Sequence, residues 1–151
     1  MLFDEELIDL LKRTIQKEGC IDLPSEGDSM YPLIQKGEIC RFIPCEPSLL
    51  TKGDITLFWA ESGQLVVHRF YHKEMIQGFP HYVFKGDTNL GFDLPVSKDR
   101  IVGKLLYVQK ASRKVNVEDL HAYAWGKLIL AMPVLSGLLR KYLNKRKRPQ
   151  F

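Results

Sequence analysis

The sequence predicts a mainly β fold, a compact β-domain flanked by an N-terminal and a C-terminal helix. Three observations carry that expectation. Between residues 20 and 110, short runs of β-branched and aromatic residues are punctuated by Gly, Pro, Asp or Ser. Nothing inside that block keeps helical periodicity long enough for a crossover helix, which argues against a βαβ sheet. On either side of it, apolar residues recur at helical spacing.

Taken in order, residues 2–18 predict an amphipathic helix. Leu7, Leu10 and Leu11 share a face, and Phe3 and Ile15 extend it. Asp4, Glu5 and Glu6 crowd its start and Lys12, Arg13 and Lys17 its end, an arrangement the helix dipole favours. Gly19 is the natural stop. Capping a sheet is the favoured role for this helix, with a membrane or a partner as the alternative. The predicted strands are Ile39–Ile43, Ile55–Trp59, Leu65–Phe70, Tyr82–Lys85 and Ile101–Gln109, with a turn at Glu61-Ser62-Gly63. Residues 117–143 predict a second helical region. Its apolar run from Ala122 to Leu139 is interrupted by Lys127, Pro133, Ser136 and Gly137, and Pro133 kinks a helix. The chain thus divides into an N-terminal helix (1–19), a β-domain (20–110), and an apolar helix with a basic tail (111–151).

A chain of 151 residues suits one domain with an appendage, and it needs no staples to bury a core. Three cysteines, Cys20, Cys40 and Cys45, form no C-x-x-C pair, so neither a zinc site nor a disulfide framework is expected. Residues 111–151 hold nine Lys and Arg against two Asp and Glu, so the whole basic excess lies in the tail. The body carries no electrostatic footprint for nucleic acid, and none is expected as a partner. Asp4, Glu5 and Glu6 follow directly on Met1-Leu2-Phe3, unlike a secretory signal, and nothing in the first 20 residues is apolar enough to span a membrane.

The segment 122–139 ends in a cluster of six positive charges from Arg140 to Arg148. It has three readings: lying on an anionic bilayer, spanning it with the basic end cytoplasmic, or packing on protein. An anionic membrane surface met by residues 117–148 is the favoured one.

Chemistry enters with Gly27-Asp28-Ser29-Met30-Tyr31-Pro32. A serine hydroxyl is a weak nucleophile until a base takes its proton. Imidazole, with an ordinary pKa of about 6.5, suits that task. A carboxylate then fixes the tautomer and stabilises the imidazolium. The chain offers His68, His72, His81 and His121, and the residues alone leave the choice open. Singly, Ser29 reads as a turn hydroxyl, His68 as a strand histidine and Asp87 as a turn former.

Jointly, the segments resemble the signal peptidase family in its Ser-His, endoplasmic-reticulum-like type. The resemblance covers about residues 23–108. It rests on Gly27-Asp28-Ser29-Met30-Tyr31-Pro32, then His68-Arg69, then Lys85-Gly86-Asp87-Thr88-Asn89, with Asp93 beyond and Gly103 in a closing strand. It implies Ser29 as nucleophile, His68 as general base and Asp93 as the orienting acid. Asp87 is the competitor for the third role and is otherwise structural. The Ser29 backbone N–H would form part of an oxyanion hole. The chain departs from the pattern in having Gly27 where many members have a hydroxyl residue, in lacking the N-terminal anchor, and in its short His68–Lys85 block.

The implied activity is that of a serine endopeptidase removing a leader or signal segment after small residues, without cofactor or metal. The expected substrate is a peptide or preprotein, and the expected place is the cytoplasmic side, in association with membrane. Two rivals stand beside it. One is a non-catalytic peptide-binding or membrane-associated module of the same fold. The other is a relative of the repressor-type autoproteases, which use Lys as base and cut an Ala-Gly bond that this sequence lacks.

Overall fold

A computed structural model describes residues 2–147. The architecture is a curled antiparallel sheet of eight strands, a half-barrel, with one helix at the N-terminus and two at the C-terminus. The strands are β1 (Ile21–Pro24), β2 (Ile39–Ile43), β3 (Ile55–Trp59), β4 (Leu65–Ile76), β5 (Phe79–Lys85), β6 (Val96–Ser97), β7 (Ile101–Gln109) and β8 (Lys114–Asn116). They run in the order β1-β2-β7-β3-β4-β5-β6, and β8 pairs with β7. The β-dominated fold expected from the sequence is the one observed. The sheet also reaches past residue 110, through β8.

Helix α1 (Glu5–Glu18) starts where the Leu7 N–H donates to Asp4 Oδ1 at 2.9 Å, a cap worth about 1 kcal/mol. It stops at Gly19, whose φ of 81° is left-handed. The helix caps the sheet with Ile8 and Ile15 rather than with Leu10, which is 52% exposed. Ile15, fully buried, contributes about 1.5–3 kcal/mol of transfer free energy. Around the two isoleucines lie Met30, Ile34, Cys40, Phe42, Leu57, Leu105 and Val108.

Alternation along β3 builds a second core on the other side of the sheet. Leu57 faces α1, while its neighbour Phe58 joins Phe70, Tyr82, Phe84, Val96 and Ile101. Phe58 stacks on Phe84 with centroids 4.3 Å apart, and its ring meets the edge of the His68 imidazole at 6.1 Å. A core aromatic pair therefore backs one side of the candidate base.

The C-terminal region is two helices, α2 (Leu120–Ala131) and α3 (Val134–Lys147), bent by 108° at Met132-Pro133. Pro133 breaks the run outright, more than the kink expected, because it offers no N–H to continue the ladder. No single helix among the described residues is long and apolar enough to cross a membrane. Gly126 lets α2 approach closely, since a Cβ there would stand 2.9 Å from Arg69 Nη1.

Candidate active site

Two loops converge on β4. Ser29 lies in the turn after β1, whose Tyr31-Pro32 peptide bond is cis. His68 lies on β4, and Asp93 on the loop between β5 and β6. A main-chain bond stitches the two loops, the Thr88 N–H donating to Ser29 O at 3.0 Å, and another ties the second loop back to β5, the Asp93 N–H donating to Phe84 O at 2.9 Å.

The side chains then line up. His68 Nδ1 is 2.5 Å from Asp93 Oδ2, and His68 Nε2 is 2.9 Å from Ser29 Oγ. A carboxylate only accepts, so Nδ1 carries the proton, and Nε2 of the neutral ring accepts from the Ser29 hydroxyl. That is a nucleophile–base–orienter chain with both contacts at hydrogen-bond length. The His68 side chain is 8% exposed and that of Asp93 26%, so the ring is held in protein while the carboxylate keeps an edge in water. Gly86 makes room for it, because a Cβ there would stand 2.9 Å from His68 Nε2.

Asp87 is not part of this chain. It is fully buried and takes Arg69 Nε at 2.8 Å on one oxygen and Nη2 at 2.7 Å on the other. The indole N–H of Trp125 donates to it at 3.0 Å, and Arg69 Nη1 donates to Gly53 O at 3.0 Å. Of the two aspartates the sequence left in competition, Asp93 touches the imidazole and Asp87 anchors the strand residue next to it. The remaining histidines stand elsewhere. His72 has Glu74 at 3.8 Å, His81 contacts Phe79 O, and His121 is exposed on α2.

Nothing in the local sequence signals how far the C-terminal helices brace this site. Lys85 Nζ, buried, donates to buried Ser136 Oγ on α3 at 3.0 Å. Burial pushes that ammonium below the ordinary lysine range, with Asp87 opposing. Arg140 reaches Thr88 through both its carbonyl and its hydroxyl, and approaches Asp28 at 3.4 Å. Lys147 Nζ stands 2.6 Å from the other Asp28 oxygen. Lys147 and then Arg140 hold the Asp28 carboxyl below its usual range, against the effect of burial. Two members of the basic tail are thus turned inward onto the residue preceding Ser29.

Ser29 and His68 open into a groove of 540 Å³. One wall is the β1 end, Leu23 to Gly27, and the other is Gln64 to His68. Both walls have unpaired edges. Among the described residues β1 pairs only with β2, and Leu65–His68 only with β3, because β5 joins β4 from Arg69 onward. Met30, Ile34, Phe42 and Leu57 give the floor an apolar character. Among the described residues no cluster of His, Cys, Asp and Glu is arranged to hold a metal ion.

No family model, no curated protein and no solved structure matches the chain.

Proposed function

We propose that the chain is a serine endopeptidase of the signal peptidase type, cutting a leader or signal segment from a peptide or preprotein. The observation that carries this reading is the Ser29–His68–Asp93 chain, with contacts of 2.9 and 2.5 Å, at the side of a groove between two open strand edges. His68 Nε2 takes the Ser29 proton as Oγ attacks the scissile carbonyl, then returns it to the leaving amine. Asp93 holds the ring in the productive tautomer and balances the imidazolium. An extended peptide lying in the groove would pair with the free edges of β1 and β4, filling the half-barrel's gap as a guest strand. A preference for small residues before the cut comes from the family resemblance.

The test is mass spectrometry of an Ala-x-Ala leader peptide, with a fluorophosphonate probe in parallel. Wild type should cleave after the small residue and carry the probe on the peptide containing Ser29. Ser29→Ala should do neither. A folded wild type that leaves Ser29 unlabelled and every offered leader intact defeats the proposal. Retained peptide binding in that case would identify the non-catalytic module.

A further inference from the structure

Outside the groove, the outward side of α2 and α3 carries two rows of exposed apolar residues. Leu120 and Leu128 on α2 and Met132 at its C-cap follow one another at multiples of four residues, exposed by 76%, 44% and 45%. Val134, Leu138 and Tyr142 do the same along α3, at 64%, 56% and 50%. The two rows meet at the bend, where all four residues Ala131–Val134 are exposed. Beside α3, on the loop carrying Asp93, Leu90 reaches toward Gly137 and is itself 76% exposed.

Within the two helices the charges are of one sign, while Glu118 and Asp119 lie at the end of α2 away from the bend and Asp93 lies beside His68. From Leu120 to Lys147 there are six Lys and Arg and no Asp or Glu. Arg140 and Lys147 are engaged with Asp28. Among the described residues no carboxylate pairs with Lys127, Lys141, Lys145 or Arg146. Lys127 and Arg146 instead lie near the rings of exposed Tyr123 and Tyr142, at 5.3 and 5.8 Å.

We propose that α2 and α3 form an interfacial helix pair that lays its outward apolar rows on an anionic lipid surface. The corner Ala131–Val134 enters the acyl boundary, and Lys127, Lys141, Lys145 and Arg146 meet the phosphate headgroups. The physical fit is specific to that occupant. An apolar corner whose nearest charges are cations matches a layer whose interior is apolar and whose rim is anionic. A nucleic acid would answer the cations and leave the apolar rows in water. A second copy would bring the same four cations against themselves. Lipid docking is independent of catalysis, and it would bring the groove beside the surface from which a membrane-inserted leader emerges.

Cosedimentation of the full chain with vesicles tests it. The probes are phosphatidylcholine alone and phosphatidylcholine with one third phosphatidylglycerol, each at low and high salt. Wild type should pellet with the anionic vesicles and lose binding as salt rises. Val134→Asp and Leu138→Asp, both at exposed positions, should keep the wild-type circular dichroism and melting curve and bind at least tenfold more weakly. Lys141→Glu with Lys145→Glu should also lose at least tenfold, given roughly fivefold for each cation near an anionic surface. Equal binding to neutral vesicles, or unchanged binding by these variants, overturns the proposal. So does a wild-type dimer in light scattering that ignores vesicles and becomes monomeric on Leu138→Asp, which would assign the surface to a second copy.

Discussion

Replacing Asp87 by Asn keeps the side chain's shape and removes its charge, in a place where little can adjust. Asp87 is 0% exposed and Arg69 3%. The carboxylate receives two guanidinium N–H groups, at 2.8 and 2.7 Å, and the Trp125 indole N–H at 3.0 Å. An amide offers one acceptor oxygen and one NH2, so a guanidinium N–H is left facing another donor and the Arg69 charge loses its counter-ion. Removing one partner of a buried ion pair costs about 3–5 kcal/mol. With a urea dependence of about 2 kcal/mol per M, the unfolding midpoint should fall by about 1.5–2.5 M. The assay is urea unfolding followed by tryptophan fluorescence and far-ultraviolet circular dichroism. In native buffer the surviving folded Asp87→Asn should cleave with the wild-type pH profile, because His68 Nδ1 bonds Asp93 and not Asp87. Asp93→Asn should do the reverse, moving the midpoint little and lowering the rate on the order of 10³–10⁴-fold through the wrong tautomer. An Asp87→Asn protein with an unmoved midpoint and a displaced pH profile would refute this division of labour.

Three other outcomes follow from the same geometry. Asp28 titrates lower in the folded protein than in the unfolded chain, so its contribution is present above about pH 4 and is lost as pH falls through the lowered folded value. The urea-midpoint difference between wild type and Asp28→Asn should therefore shrink toward zero on acidification, and a difference that grew would contradict the sign. Burial pushes Cys40 up to about 12 and Cys45 up to about 11, and Cys40 is 1% exposed. A thiol reagent on the native protein at mildly alkaline pH should thus modify Cys20 first and Cys40 only on unfolding, and mass spectrometry showing early Cys40 adducts would count against that order. Gly86→Ala places a Cβ 2.9 Å from His68 Nε2 and 2.7 Å from Asn89 Nδ2. It should lower cleavage by about a hundredfold while the protein stays folded, and a wild-type rate would show that the ring tolerates displacement.

How much of this was legible in the sequence depends on where each determinant lies along the chain. β2, β3 and β7 begin and end where the sequence predicts, because each is a run of strand-forming residues bounded by turn residues. β1, β6 and β8 went unseen. They have four, two and three residues, two of them hold or follow a proline, and they exist through pairing with β2, β5 and β7 rather than through propensity. Leu10 was misassigned because a leucine stripe one position either way fits the same helical period, and only the sheet decides that Ile8 is buried instead. At the site, Ser29, His68 and Asp87 lie within short local boxes and Asp93 just beyond the last, and it is the resemblance those boxes carry together, not any one of them, that singles the four residues out. The grip of α3 was not legible. An arginine within a basic cluster carries no local mark that separates one pairing with Asp28 and Thr88 from one left in solvent.

That grip also has a consequence in time. Asp28 and Arg140 are 112 positions apart in the chain. At synthesis rates of about 5–20 residues per second, Ser29 is added to the chain roughly 6–22 s before the arginine that steadies its turn. Ser29 is made early and its brace late, so the turn that carries the hydroxyl gains the Asp28 and Thr88 contacts only once α3 has docked.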